Sequence, residues 1–332
     1  MIAEEREILV KKIFRLSPGK EFEDTAMKLF SYQARHNNLY NRYLKLLGII
    51  PKNISAIKDI PFMPASFFKN HEVTTGNKRH GLVFKSSGTG TAPVSRHFVA
   101  DTGLYTASVM KCFEMFYGDP SEYCILALLP SYLERSDSSL VYMVRRLAER
   151  SAHPDSGFYL EDMEQLAFII NQLENNNEKA LLIGVSFALL DLVEKHSFRL
   201  KNTILMETGG MKGRRKELTR EELHSILKSE TGLKHIHSEY GMTELLSQAY
   251  SRSGGKFRTP PWMKVIIRDA YDPFSYLEPG RSGGVNIIDL ANIDSCAFIE
   301  TADLGKMTPG GEFEILGRFD NSDIRGCNLL AG

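Results

Sequence analysis

The chain has 332 residues, of which 42% are hydrophobic and 25% charged, a balance typical of a folded protein with one large domain or two moderate ones. Lys plus Arg and Asp plus Glu each number 41, so the zero net charge provides no general attraction to nucleic acid or to an anionic membrane. The N-terminal segment is charged from Glu4 onward, no apolar run approaches about 18 residues, and the four cysteines form no CxxC pair, so we expect a cytoplasmic protein with reduced thiols and no stable membrane insertion.

Helices and strands are predicted to alternate through the first two thirds of the chain. Apolar positions recur at helical spacing in several segments, and short apolar runs lie between them. The predicted helices cover residues 20–47 (one or two helices), 101–117, 138–150, 159–174, 187–196 and 219–231, and the predicted strands cover 124–129, 179–184 and 202–206. This alternation argues for an α/β architecture with a largely parallel sheet.

The last third of the chain changes character. Strand-like runs at residues 262–268, 284–290, 297–301 and 311–316 are joined by turns rich in Gly, Pro and Asp. These runs predict a β-rich subdomain.

A hydroxyl- and glycine-rich stretch, residues 86–91, follows the apolar run 81–84 and has the sequence SSGTGT. Glycines let backbone N–H groups approach an anion closely, and Ser or Thr side chains add hydrogen-bond donors, so such a stretch can hold phosphate oxygens. An ordinary strand-to-element turn is the alternative, and the stretch lacks the Gly-Lys-Ser/Thr ending of a nucleoside-triphosphatase P-loop.

Three further motifs follow predicted strands. The sequence YGMTE at residues 240–244 places an aromatic ring, a hydroxyl and a carboxylate at a strand end, where ligands gather. The motifs TAD at 301–303 and GRFD at 317–320 each place an acidic residue in a predicted turn. Either aspartate alone is explained by hydrogen bonds to its own turn backbone.

In this order, SSGTGT, YGMTE, TAD and GRFD resemble the adenylate-forming superfamily of acyl- and aryl-CoA ligases, luciferases and adenylation domains. Within it, residues 61–69, 130–144 and 317–327 are similar to the acyl-protein synthetase (LuxE-type) family, which supplies fatty acyl groups to the fatty acid reductase complex of luminous bacteria. The resemblance covers the chain from about residue 60 to its end. It implies the large N-terminal domain of the adenylate-forming fold, with mixed and parallel sheets flanked by helices and a β-rich subdomain.

The resemblance also implies ATP and Mg²⁺ as cofactors and assigns a role to each motif. Residues of the first motif would wrap the ATP phosphates, the aromatic turn and a glycine pair would flank the adenine, and the acidic and basic residues near the end would contact the ribose or phosphate. The implied nucleotide contacts are Ser86, Ser87, Gly88, Thr89, Gly90, Thr91, Gly209, Gly210, Tyr240, Gly241, Asp303 and Arg318. Thr243 would contact the α-phosphate, and Glu244 would help to hold Mg²⁺.

Two features depart from the superfamily pattern. The phosphate loop commonly ends in Pro-Lys, whereas Val94 follows Pro93 here. Full-length adenylating enzymes also carry a mobile C-terminal domain of roughly a hundred residues whose lysine assists adenylation. We expect that domain to be essentially missing, with residues 1–317 forming the adenylate-forming domain (β-rich from about 257) and residues 318–332 a hinge-like tail.

Cys327 lies in that tail, and the resemblance implies that it accepts the acyl group as a thioester. Thiolate is the attacking species, and Arg325 would lower the pKa of the thiol if the two side chains converge. The alternative is a small buried residue, which is what most free cysteines are.

The expected function is therefore ATP-dependent activation of a carboxylic acid, in particular a fatty acid, followed by acyl transfer to Cys327 and on to a reductase or another acyl-acceptor protein. Two alternatives stay open: an external thiol such as CoA or a carrier protein as acceptor, and a nucleotide-binding subunit without catalysis.

Two other clusters carry open alternatives. One cluster consists of His235, His237 and Glu239, which would project from the same face of a strand as metal ligands do. The alternative is that these side chains pack and form hydrogen bonds behind Tyr240. Residues 185–188 and 207–210 would line a tunnel for an apolar acid or belong to the core.

Overall fold

The computed structural model describes residues 2–16, 19–76, 81–87, 93–130, 137–159, 162–210, 215–216 and 218–319. The helices in these segments are α1 Ile2–Ile13, α2 Lys20–His36, α3 Asn38–Leu46, α4 Phe67–Asn70, α5 Thr102–Tyr117, α6 Ser139–Ser151, α7 Met163–Asn176, α8 Ser186–Lys195 and α9 Arg220–Thr231. The strands are β1 Met63–Pro64, β2 Leu82–Lys85, β3 Arg96–Val99, β4 Cys124–Leu128, β5 Gly157–Phe158, β6 Ala180–Val185, β7 Thr203–Thr208, β8 His237–Tyr240, β9 Ala249–Ser251, β10 Met263–Arg268, β11 Ser282–Asp289, β12 Phe298–Met307 and β13 Phe313–Arg318.

The central sheet has the strand order β5-β4-β6-β7-β8-β9. Every neighbouring pair is parallel except β8 with β9. All residues of β4 and β6 are buried, as expected for parallel strands that helices cover on both faces. The predicted α/β architecture with a largely parallel sheet is confirmed.

The second sheet contains the predicted β-rich region, with strands in the order β1-β12-β11-β10 and β13 paired to β12. Its first strand comes from far earlier in the chain, because Met63 and Pro64 pair in parallel with Ile299 and Glu300. The prolines predicted an extended segment there, but nothing local specifies its partner. A separate hairpin, β2 with β3, carries the hydroxyl-rich stretch between its strands.

Asp303 does not lie in a turn, and that prediction was wrong; Asp320, the other aspartate predicted in a turn, lies outside the described residues. Strand β12 continues from Phe298 to Met307, and Asp303 in its middle pairs with Arg318, the last residue of β13. Pairing with β13 overrides the turn preference of an isolated aspartate, although the register between β11 and β12 shifts opposite residues 301–303. Because Arg318 belongs to β13, the sheet extends one residue past the predicted boundary at 317, and residues 320–332 lie outside the described part of the chain.

Helix ends follow local capping chemistry. The predicted capping box is present, since the Thr219 side chain accepts from Glu222 N while Glu222 accepts from Thr219 N. Helix α7 begins four residues later than predicted, because the Asp162 side chain caps it and Tyr159 is held instead by a backbone bond to Ala127.

None of the helices in the described segments is long and apolar enough to cross a membrane.

The N-terminal helices are fastened to the loop between β11 and β12. The buried guanidinium of Arg6 donates to both carboxylate oxygens of Asp294 at 2.5 Å and to Asp101 at 2.9 Å. From α2, Gln33 donates to three backbone oxygens of the same loop and accepts from Ala297 N. Helix α1 is therefore part of the folded core.

We expect Arg6→Ala to lower the free energy of unfolding by about 3–5 kcal/mol, because it leaves the buried Asp294 carboxylate without its charge partner. Urea denaturation followed by circular dichroism measures the change. Arg35→Ala is the matched control: its partner Glu5 and its own side chain are solvent-exposed, so roughly 0–1 kcal/mol is expected. Equal losses in the two variants would contradict the anchoring role of Arg6.

Candidate functional site

Residues from three of the four motifs meet between the two sheets. The hydroxyl group of Tyr240, at the end of β8, donates to Asp303 Oδ2 at 2.6 Å. Arg318 Nε lies 3.4 Å from Asp303 Oδ1, so the same carboxylate contacts the last residue of β13. The Asp303 carboxyl is buried, which raises its pKa, whereas the Arg318 side chain is 73% exposed. This cluster combines a buried carboxyl group with a largely exposed guanidinium, and the surface beside these three residues is called the cleft below.

The ring of Tyr240 is fixed by aromatic neighbours. Its centroid lies 5.9 Å from that of Phe257 and 5.6 Å from that of Phe313, the second in an edge-on arrangement. These contacts, together with the bond to Asp303, hold the ring in one orientation at the sheet edge.

Glu244 connects the same turn to the hydroxyl-rich loop. Its carboxyl group is buried, which raises its pKa, and it hydrogen-bonds to the Ser95 side chain. Ser95 N donates to Ser86 Oγ at 2.9 Å, and Ser86 N donates to Ser95 O at 3.0 Å, so these two serines close the base of the loop. Ser87 is exposed, and Gly88, Thr89, Gly90 and Thr91 lie outside the described residues.

The backbone of the YGMTE turn is held from two directions. His97 Nδ1 lies 2.8 Å from Thr243 O and must carry a proton there, because a carbonyl oxygen only accepts. Burial lowers the pKa of His97 to about 4, so the imidazole is neutral at pH 7. Asn292 Nδ2 donates to Glu244 O at 2.6 Å. The Thr243 side chain is left half-buried beside the cleft.

The glycine pair lies next to Tyr240. Gly209 and Gly210 are exposed and follow β7, whose last residue pairs in parallel with Glu239. Gly209 has φ of 68°, a conformation that favours glycine, and Ser186 Oγ donates to its carbonyl oxygen at 3.2 Å. Both turns are therefore at the carboxyl edge of the parallel sheet, where such folds bind ligands.

The alternating His235, His237 and Glu239 do not form a metal site. His235 contacts Ser253, His237 contacts the Tyr117 hydroxyl, and Glu239 accepts from Thr208. Across the described segments, no three His, Cys, Asp or Glu side chains are arranged to hold a metal ion. A single carboxylate such as Glu244 nevertheless fits Mg²⁺, which usually binds one or two carboxylates together with phosphate oxygens.

The cysteines that the structure describes are core residues, as predicted. Cys112, Cys124 and Cys296 are buried, and burial raises the pKa of each thiol, to about 12 for Cys124 and Cys296. Such thiols are poor nucleophiles at neutral pH. Cys327 lies outside the described residues.

The segments predicted either to line a tunnel or to belong to the core are mostly buried. Residues 185–188 and 207–208 are buried, and only Gly209 and Gly210 are exposed.

Sequence reasoning missed Ser95, His97 and Asn292, which hold the YGMTE turn. The first two lie just past the hydroxyl-rich stretch, and nothing local distinguishes Asn292.

The family model for acyl-protein synthetase, LuxE, matches residues 18–331. The chain belongs to the LuxE acyl-protein synthetase family. No curated protein sequence matches this LuxE-family chain.

Solved structures show the fold of this family member. ATP-bound MatB from Rhodopseudomonas palustris aligns with a TM-score of 0.54 and 16% identity over 73% of this chain, which spans about half (49%) of that protein. A 2-hydroxyisobutyryl-CoA ligase in complex with 2-HIB-AMP and CoA aligns with a TM-score of 0.68 and 14% identity, covering 96% of this chain and 69% of that one. At these identities the likeness confirms the predicted adenylate-forming fold.

We expect the depressed pKa of His97 to make stability fall as the pH drops from 6.5, its ordinary pKa, to about 4. Over that interval the unfolded chain binds a proton at His97 and the folded protein does not, which lowers the free energy of unfolding by roughly 3 kcal/mol. His97→Gln keeps an N–H donor for Thr243 O but does not titrate, so its unfolding free energy should fall less between pH 7 and 4. Parallel urea titrations measure the difference, and identical pH slopes would refute the assignment.

Proposed function

We propose that this LuxE-family chain uses ATP to activate a carboxylic acid as its acyl adenylate. The observation that carries the proposal is the Tyr240–Asp303–Arg318 cluster beside Glu244 and the closed base of the hydroxyl-rich loop. Residues from three motifs that are far apart in the sequence meet there, and Ser86 of the fourth motif bonds to Ser95, which contacts Glu244. The matched folds, one bound to ATP and one to 2-HIB-AMP and CoA, support a nucleotide in that cleft.

The cleft offers complementary groups to each part of a nucleotide. The Asp303 carboxylate would accept from ribose hydroxyls, and Tyr240 with Gly209–Gly210 would border the adenine. Arg318, exposed at the mouth, would approach the ribose or the phosphates. Residues 86–91 would supply hydroxyl and N–H donors to the β- and γ-phosphates.

Glu244 and the phosphates would together hold Mg²⁺, which neutralises charge on the pyrophosphate leaving group. The acid's carboxylate oxygen attacks the α-phosphorus, the bond from that phosphorus to the bridging oxygen breaks, and pyrophosphate leaves. Thr243 would donate to the α-phosphate as negative charge shifts onto its oxygens.

In the second step, the Cys327 thiolate would attack the carbonyl carbon of the adenylate, forming a thioester and releasing AMP. Phe319 N donates to Ala302 O at 2.8 Å, which fixes the start of the tail one residue from Asp303. Cys327 follows eight residues later, a length of chain that spans at most about 29 Å. The thiol therefore has the reach to return to the cleft. A fatty acid as substrate, and a reductase as the final acceptor, complete the proposal.

Acid-dependent exchange of labelled pyrophosphate into ATP tests the first step. We expect exchange with at least one acid of a chain-length panel, and a loss of about 10- to 100-fold in Asp303→Asn, because a charge-assisted hydrogen bond to the ribose is weakened. Asp272→Asn, an exposed carboxylate that bonds only within its own turn, is the matched control and should exchange normally. ATP binding without exchange for any acid would instead support a non-catalytic nucleotide-binding subunit.

Intact mass spectrometry after incubation with ATP, Mg²⁺ and the acid tests the second step. The wild-type chain should gain one acyl group that hydroxylamine removes, and Cys327→Ser should gain none. Cys124→Ser, which alters a buried thiol, is the control and should still be acylated. Undiminished thioester formation on added CoA or phosphopantetheine by Cys327→Ser would favour an external thiol acceptor.

A further inference from the structure

A buried carboxyl group with no role in the steps above lies directly behind the nucleotide cleft. Glu239 immediately precedes Tyr240 in β8 and is only 8% exposed. Its Oε2 accepts from Thr208 Oγ1 at 2.5 Å. Thr208 is the last residue of β7 and immediately precedes Gly209, so this hydrogen bond joins the residues that enter the two turns of the cleft.

The other carboxyl oxygen of Glu239 contacts the second turn. A Cβ atom added at Gly241 would lie 2.5 Å from Glu239 Oε1, a separation that real Cβ atoms do not adopt. The φ angle of Gly241 is not positive, so its backbone does not require glycine. It is the carboxyl group of Glu239 that occupies the space a side chain at 241 would need.

We propose that Glu239 is a positioning residue whose carboxyl group spans Thr208 and Gly241 and holds the Gly209–Gly210 and Tyr240–Gly241 turns in register. The inference rests on the proposed function only in taking ATP as the ligand of those turns. Glu239 touches neither nucleotide nor acid; it acts through the backbone of the two turns.

The surroundings of Glu239 favour its neutral form. Burial raises its pKa to about 7. The titratable groups that interact electrostatically with it are Glu207 on β7, Tyr250 on β9, and Tyr105, Cys112 and Tyr117 on α5. None of these five is a cation, so above neutrality the ionised carboxylate is stabilised only by the Thr208 hydrogen bond, which the cost of burial outweighs. We therefore expect the contacts of the Glu239 carboxyl group with Thr208 and Gly241, here called the brace, to be intact at pH 6 and to weaken as the pH rises through 7.

Hydrogen–deuterium exchange of the ligand-free protein tests the brace without ATP. In Glu239→Ala, peptides covering Gly209–Gly210 and 240–243 should exchange faster than in the wild type. Ser238→Ala is the matched control, because Ser238 neighbours Glu239 in β8 but its hydroxyl contacts His224 instead. Unchanged exchange of both turns in Glu239→Ala would overturn the proposal.

Calorimetric titration with MgATP at pH 6.0 and 8.5 tests the consequence for binding. Glu239→Gln keeps the shape of the side chain but cannot ionise. We expect its affinity to lie within about twofold of wild type at pH 6.0 and to exceed wild type at least about threefold at pH 8.5. Because ATP titrates equally in both experiments, only the ratio between the variants matters, and a ratio independent of pH would contradict the ionisation argument.

A double-mutant cycle tests the contact with Gly241. Gly241→Ala should weaken MgATP binding about tenfold, since the new Cβ collides with a buried, hydrogen-bonded carboxyl group. The double variant Glu239→Ala with Gly241→Ala should bind MgATP almost as tightly as Glu239→Ala alone. If the two substitutions reduce the MgATP affinity additively, Glu239 and Gly241 are not in contact and the proposal is overturned. If the wild type binds no ATP but hydrogen–deuterium exchange of the two turns is faster in Glu239→Ala, the proposed function fails and the proposal about Glu239 stands.

Discussion

The hydrogen bond from Tyr240 to Asp303 joins the two sheets at the bottom of the cleft, and the rest of the site is arranged around it. One partner ends a strand of the parallel sheet, and the other lies in the middle of β12 in the second sheet. Both side chains are buried, so each would leave an unsatisfied polar group if the other moved away. This bond therefore holds the end of β8 against β12 and fixes two side chains that the proposed function assigns to nucleotide binding.

Acidic groups in and directly behind the cleft are shielded from solvent. Burial raises the pKa values of Glu239, Glu244 and Asp303, whereas Arg318 at the mouth is largely exposed. A polyphosphate entering such a site brings more negative charge toward the buried carboxyls. In the proposed reaction, a divalent cation between Glu244 and the phosphates would resolve that conflict, which supports the proposal of Mg²⁺.

The N-terminal helices support the cleft through a chain of polar contacts. Arg6 holds Asp294, and Gln33 holds the carbonyl oxygen of Asn292, whose own side chain donates to Glu244 O. The loop between β11 and β12 thus transmits the position of the first two helices to the YGMTE turn. Residues with no chemical role of their own become necessary to the geometry of the site.

The sequence by itself determined the features that depend on neighbouring residues: the helical periodicity, the capping box at Thr219 and the alternation that favours a parallel sheet. The order of the four motifs indicated the superfamily, and residues 61–69, 130–144 and 317–327 indicated the family. Only the tertiary structure decided the pairing of β1 with β12, the place of Asp303 inside a strand, and the contacts that Glu239 makes with Thr208 and Gly241. The physical reason is range. Capping and periodicity act within a few residues, whereas strand partners and buried polar contacts are selected by packing between segments far apart in the chain.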